Sequence, residues 1–344
     1  MTAPANDQAS RGPLDVVAVG SSLVDILATV DDETIRRLSL ERGAMQLVDL
    51  ERAEGIYEAM GQTVEVSGGS AANTVAGVAA LGGTAGFVGK VARDPLGEVF
   101  THDIRAAGVE FEPVVDDSGA AGEVRGTGRC LVLVSGDGDR TMSTHLGVAT
   151  TITPGDVPVE LVARARILYL EGYLWDMGPA KQAMRRAVEV AHDHDGSVAL
   201  SLSDPFCVDR HRREFLDLVV NEVDVLFGNE EEMCRLFEAS SFDAALSAAA
   251  EVGILVAATR GAAGSVVLTG RGPSAIEAAP VDHVVDTTGA GDLYAAGFLY
   301  GLTHGSDPVA CAELGSLCAA EIVSHLGARP REDLLALARD AGLL

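Results

Sequence analysis

The sequence predicts an α/β protein: a central, mostly parallel sheet between helices, with a small β-sheet lid. Three observations predict it. Strand-length apolar runs alternate with helix-length segments from Asp15 to Ala107, and again from Ile167 to Arg339; such alternation favours parallel strands covered on both faces. Between those stretches no long helix intervenes, and β-like runs follow one another across Gly/Asp turns, which suits a small antiparallel sheet. Glycine-rich turns also stand where apolar runs pass into small-residue helical segments, as at Gly68-Gly69 and Gly289-Ala290-Gly291.

In order, Asp15 to Val19 is an apolar run closed by Gly20 and reads as a buried strand, and Leu23 to Val30 as a second. Asp31 to Leu38 is a short helix with Asp at its start, and Gln46 to Val48 a short strand. Glu51 to Met60 has helical spacing, with Gly61 as its C-cap. Thr63 to Val66 alternates like a strand and runs into Gly68-Gly69, and Ala71 to Leu81 is a tightly packed helix stopped by Gly82-Gly83. Ala85 to Val88 is a strand and Gly97 to Ala107 a helix. Phe111 to Val115, Gly128 to Val134 and Arg140 to Thr144 are β-like, joined by turns such as Ser135-Gly136-Asp137-Gly138. After Pro154, strands at Ile167–Leu170, Val198–Leu202, Val223–Phe227, Ile254–Thr259 and Ser265–Leu268 alternate with helices at Ala180–Asp193, Arg212–Val220, Glu230–Phe237 and Ala244–Glu251. Ala290–Leu302, Val309–Val323 and Glu332–Arg339 are the last helices. The expected organisation is a flexible N-terminus (1–13), a large α/β domain (14–22, 49–110 and 146–344) and a small β lid (23–48 and 111–145).

Composition narrows the function. The chain has 344 residues, is 47% hydrophobic and carries a net charge of −26. That apolar content excludes a disordered chain. With 51 acidic against 25 basic residues, nucleic acid and anionic membrane surfaces are not expected partners. No apolar run reaches the ~20 residues that span a bilayer. The five cysteines are scattered without a CxxC, which argues for buried, inert thiols in a reducing cytoplasm and against a disulfide frame or structural zinc.

Four segments carry chemistry. In Asp286-Thr287-Thr288-Gly289-Ala290-Gly291-Asp292, glycines let the backbone turn tightly before an apolar helix. The N–H groups of Ala290, Gly291 and Asp292 then lie at a helix N-terminus, where an anion such as a transferring phosphoryl group binds. Asp292 beside them can accept a proton from a substrate hydroxyl; an ordinary capped turn is the alternative. Gly68-Gly69-Ser70-Ala71-Ala72-Asn73 is a second strand-to-helix turn, whose Asn73 offers a polyol a donor and an acceptor. Asn229 and Glu232 share one helical face after a buried strand; their oxygens suit hydrated Mg²⁺, or they serve the helix N-terminus alone. Thr259-Arg260-Gly261-Ala262-Ala263-Gly264 allows close approach of a nucleotide, or is a plain β-turn. Two patterns are missing: no GxGxxG follows a strand, which disfavours a Rossmann oxidoreductase, and there is no GxxxxGK[ST].

Taken in this order, the four segments resemble the ribokinase-like (PfkB) carbohydrate and nucleoside kinases, over about Asp15 to Arg331. Gly89 to Gly97 is similar to a further Gly/Asp stretch of that family, with Arg93 where an acid is common. Within the family, Leu202-Ser203-Asp204-Pro205-Phe206, the run Val223 to Glu230 and Glu171-Gly172-Tyr173-Leu174 resemble adenosine kinases most. Gly20-Ser21 departs from the family's usual Gly-Asn.

The resemblance implies the ribokinase-like three-layer fold with its lid and a set of roles. Asp292 is the general base; Gly289, Ala290 and Gly291 form the anion hole. Asp25, Gly69 and Asn73 hold ribose hydroxyls, Gln46 belongs to the lid, and Tyr173 and Phe206 stack on the base. Asn229 and Glu232 organise Mg²⁺ through water. Thr259, Gly261 and Gly264 line the ATP site, with Asn229 beside them, and Arg140 reaches the phosphates. The implied activity is ATP-dependent transfer to the 5′-hydroxyl of a ribonucleoside, adenosine first. The alternatives are a ribose- or fructose-type sugar kinase, an inosine/guanosine kinase and a non-catalytic nucleotide-binding sensor. Some relatives bind K⁺ near the position of Ser324 to Gly327, and the family includes monomers and lid-mediated homodimers.

Overall fold

Every residue of the first strand, β1 (Leu14–Val19), is buried, and its side chains alternate between two apolar cores. Val16 and Ala18 face one, Val17 and Val19 the other. A strand covered on both faces belongs to a parallel sheet between helix layers. The computed structural model describes residues 12–116, 125–136 and 139–344. Most of the expected N-terminal segment, and Asp137 and Gly138 of the expected turn, lie outside the described residues.

After β1 come β2 (Leu23–Thr29), α1 (Asp32–Arg37), β3 (Met45–Leu47), α2 (Leu50–Ala59), β4 (Val64–Gly68) and α3 (Ser70–Ala80). Then follow β5 (Ala85–Val88), β6 (Lys90–Ala92), α4 (Pro95–Ala106), β7 (Val109–Phe111), β8 (Val114–Asp116), β9 (Gly128–Val134) and β10 (Arg140–His145). The second half runs α5 (Val159–Val162), β11 (Ala165–Glu171), α6 (Gly178–His192), β12 (Ser197–Ser201), α7 (Pro205–Asn221), β13 (Val225–Asn229), α8 (Glu230–Leu236) and α9 (Phe242–Val252). It ends with β14 (Leu255–Thr259), β15 (Ser265–Thr269), β16 (Gly272–Ile276), α10 (Ala290–Thr303), α11 (Pro308–Val323) and α12 (Leu334–Asp340).

The large sheet has nine strands in the order β16-β15-β14-β13-β12-β11-β1-β5-β7. It is parallel from β14 to β7, and β15 and β16 add antiparallel strands at one edge. Side chains of α3, α10 and α11 build the core on one face, and those of α6, α7 and α9 the core on the other. No helix of the described residues is long and apolar enough to cross a membrane. All five cysteines are free, and burial pushes the Cys130, Cys207, Cys311 and Cys318 thiols up to about 12.

A second sheet of five strands runs β3-β10-β9-β2-β4. It is mixed, not antiparallel as expected: β10 pairs with β3, and β2 with β9, in parallel. Two further differences concern its membership. The expected lid run Phe111 to Val115 is divided. β7 pairs in parallel with β5 in the large sheet, while β8 pairs with β6 in a separate two-stranded ribbon. The physical reason is α4, which crosses from β5 to β7 as a parallel connection requires; Phe111 then packs on Phe87 and Phe100, ring centroids 5.6 and 5.5 Å away. Conversely β4, just before the Gly68-Gly69 turn, joins the small sheet beside β2. Gly61 caps nothing: α2 ends as Met60 turns to extended backbone, at φ −74° and ψ 142°.

Candidate active site

The two sheets face each other across a cavity of about 940 Å³. Ser21, Glu171, Ser201, Asn229 and Thr259 line it from the C-terminal ends of β1, β11, β12, β13 and β14, where a parallel sheet collects its ligands. The opposite wall is one face of the small sheet. Alternate residues point in, as strand geometry demands: Leu23, Asp25 and Leu27 of β2, Cys130, Val132 and Val134 of β9, and Met45 and Leu47 of β3. Arg140, Met142 and Thr144 of β10 and Val64 and Val66 of β4 complete it. This wall is largely apolar, with Asp25, Thr29, Ser67, Arg140 and Thr144 as its polar exceptions.

The first turn of α10 stands at the cavity. Gly289 is its N-cap at φ +81°, and a Cβ there would come within 2.7 Å of Ala328 Cβ, so only glycine makes this turn without strain. Asp286 holds the loop from below, accepting the N–H groups of Thr288 and Gly327, both at 3.1 Å. Arg140 of β10 pairs with Asp286 at 2.7 Å, both side chains buried, and its Nη1 lies 3.4 Å from Thr288 Oγ1. A strand of the small sheet is thereby tied to the loop that opens α10. The Arg140 Nε is buried and finds no hydrogen-bond partner among the described residues.

Asp292 lies in the first turn of α10. Ser70 Oγ donates to its Oδ1 at 2.6 Å, and Asn73 Nδ2 to its Oδ2 at 2.9 Å. Both donors come from α3, whose N-cap Gly69 has φ +96° and stands where a Cβ would meet Ser21 O at 2.4 Å. Burial raises the Asp292 carboxyl above its ordinary value, while the two donors and the Arg329 guanidinium pull it back. Asn73 Oδ1 is buried without a partner among the described residues. Asp25 also faces the cavity; burial pushes it up to about 6 against the opposing pull of Arg329 and Arg140.

Asn229 and Glu232 both line the cavity and satisfy each other as a capping box. The Asn229 N–H and Nδ2 donate to the Glu232 carboxylate at 2.9 and 2.6 Å, and the Glu232 N–H returns to Asn229 Oδ1 at 2.9 Å. Burial pushes Glu232 up to about 7. Tyr173 lines the cavity with its hydroxyl donated to Ser203 O at 3.1 Å.

Five expected site residues stand elsewhere. Gln46 lies between Met45 and Leu47 on β3, and alternation turns it off the cavity, its Nε2 3.4 Å from Ser143 Oγ. Phe206, in the first turn of α7, is 69% exposed and carries the Arg235 guanidinium over its ring, 5.8 Å from the centroid. Ala290 lines no part of the cavity, and its N–H is spent on Thr287 O at 3.2 Å. That leaves Gly291 and Asp292 as the first-turn donors. Gly261 and Gly264 also lie off the cavity. Gly264 is required by packing: at φ +83°, a Cβ would sit 2.0 Å from Ile276 O of β16.

Sequence reasoning missed three residues, of which Ser70, the donor to Asp292 described above, is the first. Glu171 is buried at the end of β11 and accepts the N–H groups of Ser21 and Ala71 at 2.7 and 2.9 Å, joining the first turn of α3 to the end of β1. Burial pushes it up to about 7. Its signal was present: a carboxylate closing an apolar central strand. Arg329 lines the cavity from the loop between α11 and α12, and no local pattern marks it.

Comparison with known proteins agrees with this geometry. The model of the pfkB family of carbohydrate kinases matches residues 16–333. An adenosine kinase of Saccharomyces cerevisiae is 30% identical over 334 residues, covering 91% of this chain and 95% of the relative. The crystal structure of an adenosine kinase from Sinorhizobium meliloti is 45% identical, with a TM-score of 0.87 over 96% of this chain and 100% of that one. A probable sugar kinase from Rhizobium etli CFN 42 is 42% identical, with a TM-score of 0.90 over 97% of this chain and 100% of that one. The chain belongs to the PfkB family of carbohydrate kinases, phosphotransferases that use ATP and act on a hydroxyl group of a nucleoside or sugar.

Proposed function

We propose that this kinase phosphorylates the 5′-hydroxyl of a ribonucleoside, adenosine to AMP first among the candidates. The observation that carries this reading is a carboxylate held by two donors at a helix N-terminus, inside a cavity whose facing wall is apolar. A free sugar offers that wall hydroxyls and small C–H patches; a nucleoside places a planar, weakly polar base against it, with Tyr173 as an aromatic neighbour.

The chemistry follows from positions. The acceptor hydroxyl gives its proton to Asp292 as its oxygen bonds to the γ-phosphorus of ATP, and the bond from that phosphorus to the β–γ bridging oxygen breaks to release ADP. The N–H groups of Gly291 and Asp292, with the positive end of α10, meet the negative charge of the transferring group. Such a transfer needs positioning and neutralisation more than covalent chemistry. Asp25 and Asn73, whose Oδ1 is unpartnered among the described residues, suit ribose hydroxyls. Thr259 and Asn229, at the strand ends beyond α10, suit the nucleotide. Mg²⁺ fits Asn229 and Glu232 through water, since their own bonds leave further oxygen lone pairs; when bound it supplies charge neutralisation on the phosphates.

The test is an ADP-release screen with Mg-ATP against adenosine, inosine, guanosine, ribose and fructose. Adenosine should give the highest kcat/KM. Turnover of a sugar with none of any nucleoside would replace this reading with that of a sugar kinase, the class named for the Rhizobium etli neighbour.

A further inference from the structure

We propose that Arg329 is a positioning residue for phosphoryl transfer: its guanidinium clamps the turn that carries Ser70 and Asn73, and places a positive charge in the field of Asp25 and Asp292. This rests on Asp292 being the base. Among the described residues no hydrogen bond or ion pair joins Arg329 to Asp292; it acts through α3 and through its charge.

The clamp is specific in geometry. Nε donates to Ser67 O at 3.1 Å, Nη2 to Ser67 Oγ at 3.0 Å and Nη1 to Ala72 O at 2.7 Å. Ser67 is near the end of β4 and Ala72 is in the first turn of α3, so one planar group bridges both sides of the Gly68-Gly69 turn. Ser70 and Asn73, the two donors to Asp292, flank Ala72 within that turn. A lysine cannot reproduce such a fork, because its donors radiate from one point.

The charge is the second part. Burial pulls the Arg329 guanidinium down to about 10, so it stays protonated at neutral pH, and the charges of Asp25, Asp292 and Asp103 hold it up. In return it favours the ionised forms of Asp25 and Asp292. The other groups around these two acids are Arg140 of β10, which also favours ionised Asp25, Asp286 before α10, which opposes it, and Glu171 of β11, whose own carboxyl feels Asp292. Cys130 of β9 feels Asp25, Tyr169 of β11 and Tyr173 feel Asp292, and ionised Asp292 itself opposes ionisation of Asp25. Asp103 of α4 accepts the Ser67 N–H at 3.2 Å. Arg329 therefore couples carboxylates contributed by the small sheet and by α10, from a loop that neither contains.

The test is a titration of the Asp292 carboxyl by ¹³C NMR, with the resonance assigned by Asp292→Asn, in wild type, Arg329→Gln and Arg329→Lys. This reading needs no turnover. Arg329→Gln should move the Asp292 titration to higher pH, and Arg329→Lys should restore it. In steady-state assays with whichever acceptor wild type uses, both variants should lose about 10–100-fold in kcat, and only Arg329→Gln should shift the acid limb. Should Arg329→Gln fail to fold, Ser67→Ala removes one partner of the clamp and should lower kcat with the titration unmoved. An unmoved titration in folded Arg329→Gln, or wild-type kcat in Ser67→Ala and Arg329→Lys, overturns the proposal. Wild type that transfers phosphate to none of the tested acceptors, with the NMR shift present, counts against the proposed acceptor and supports the coupling of Arg329 to Asp292, which the titration reads alone.

Discussion

At the scale of single residues, the cavity separates side chains that look alike in the sequence. Tyr173 and Phe206 both follow strand ends and both suggest a stacking face, but Tyr173 lines the cavity and Phe206 is 69% exposed beside Arg235. Tyr173→Ala should weaken adenosine binding by about tenfold, roughly 1.4 kcal/mol, with ATP affinity changed less, whereas Phe206→Ala should leave both within about twofold. Calorimetric titration of each variant checks this; equal losses for adenosine and ATP in Tyr173→Ala contradict a base-stacking role. The placement of Asp292, Asn73, Gly289 and the Asn229–Glu232 pair at the cavity was legible because each sits in a short motif whose local geometry is nearly self-determined. Gln46 was not, because a shift of one residue in a strand reverses its face. Arg329 was not, because its partners Ser67 and Ala72 are distant in the chain.

At the scale of elements, strand-to-helix turns make the site. Gly69 holds φ +96° with Ser21 O where a Cβ would be, so Gly69→Ala must shift either α3 or the chain after β1. A loss of about 1–3 kcal/mol in unfolding free energy is expected, read as a lower urea midpoint. An unchanged midpoint with unchanged activity would show that the turn is not strained. Most strands and helices were legible from periodicity, but the sheet to which a strand belongs was not. β7 reads like a lid strand until α4 is recognised as a parallel crossover, and β4 like a core strand until its antiparallel pairing with β2 is seen. The start of α7 was written as Asp204-Pro205, an N-cap followed by proline at the first helical position, a signal easily absorbed into the motif around it. β16 contains Pro273 and sits at a sheet edge, where a strand pattern is weakest.

At the scale of the whole molecule, burying carboxyls around one cavity couples the site to stability. Burial raises Asp25 to about 6, and Glu171 and Glu232 each to about 7, all above their unfolded values near 4. Between those limits the folded chain binds more protons than the unfolded one, so its stability is greatest below the unfolded values and declines as pH rises through the folded ones. The depressed carboxyls Asp176 and Glu214 act in the opposite direction, but only below their ordinary values; His145, lowered by burial, opposes the slope up to its ordinary value near 6.5, as one group against three. Unfolding free energy from urea titrations should therefore fall from pH 5.5 to 7.5, and Glu171→Gln should flatten that slope. A rise over the same interval would contradict the burial argument. The same charges explain why a chain of net charge −26 needs Arg140 and Arg329 at this cavity: they are local cations set against a repulsive field.

The central claim is that Asp292, oriented by Ser70 and Asn73 at the start of α10, takes the acceptor proton. Asp292→Asn, assayed for turnover and for adenosine binding in the same preparation, tests it most directly. The expected result is a fall in kcat of about 10²–10⁴ with adenosine binding retained. Turnover near that of the wild type would contradict the assignment.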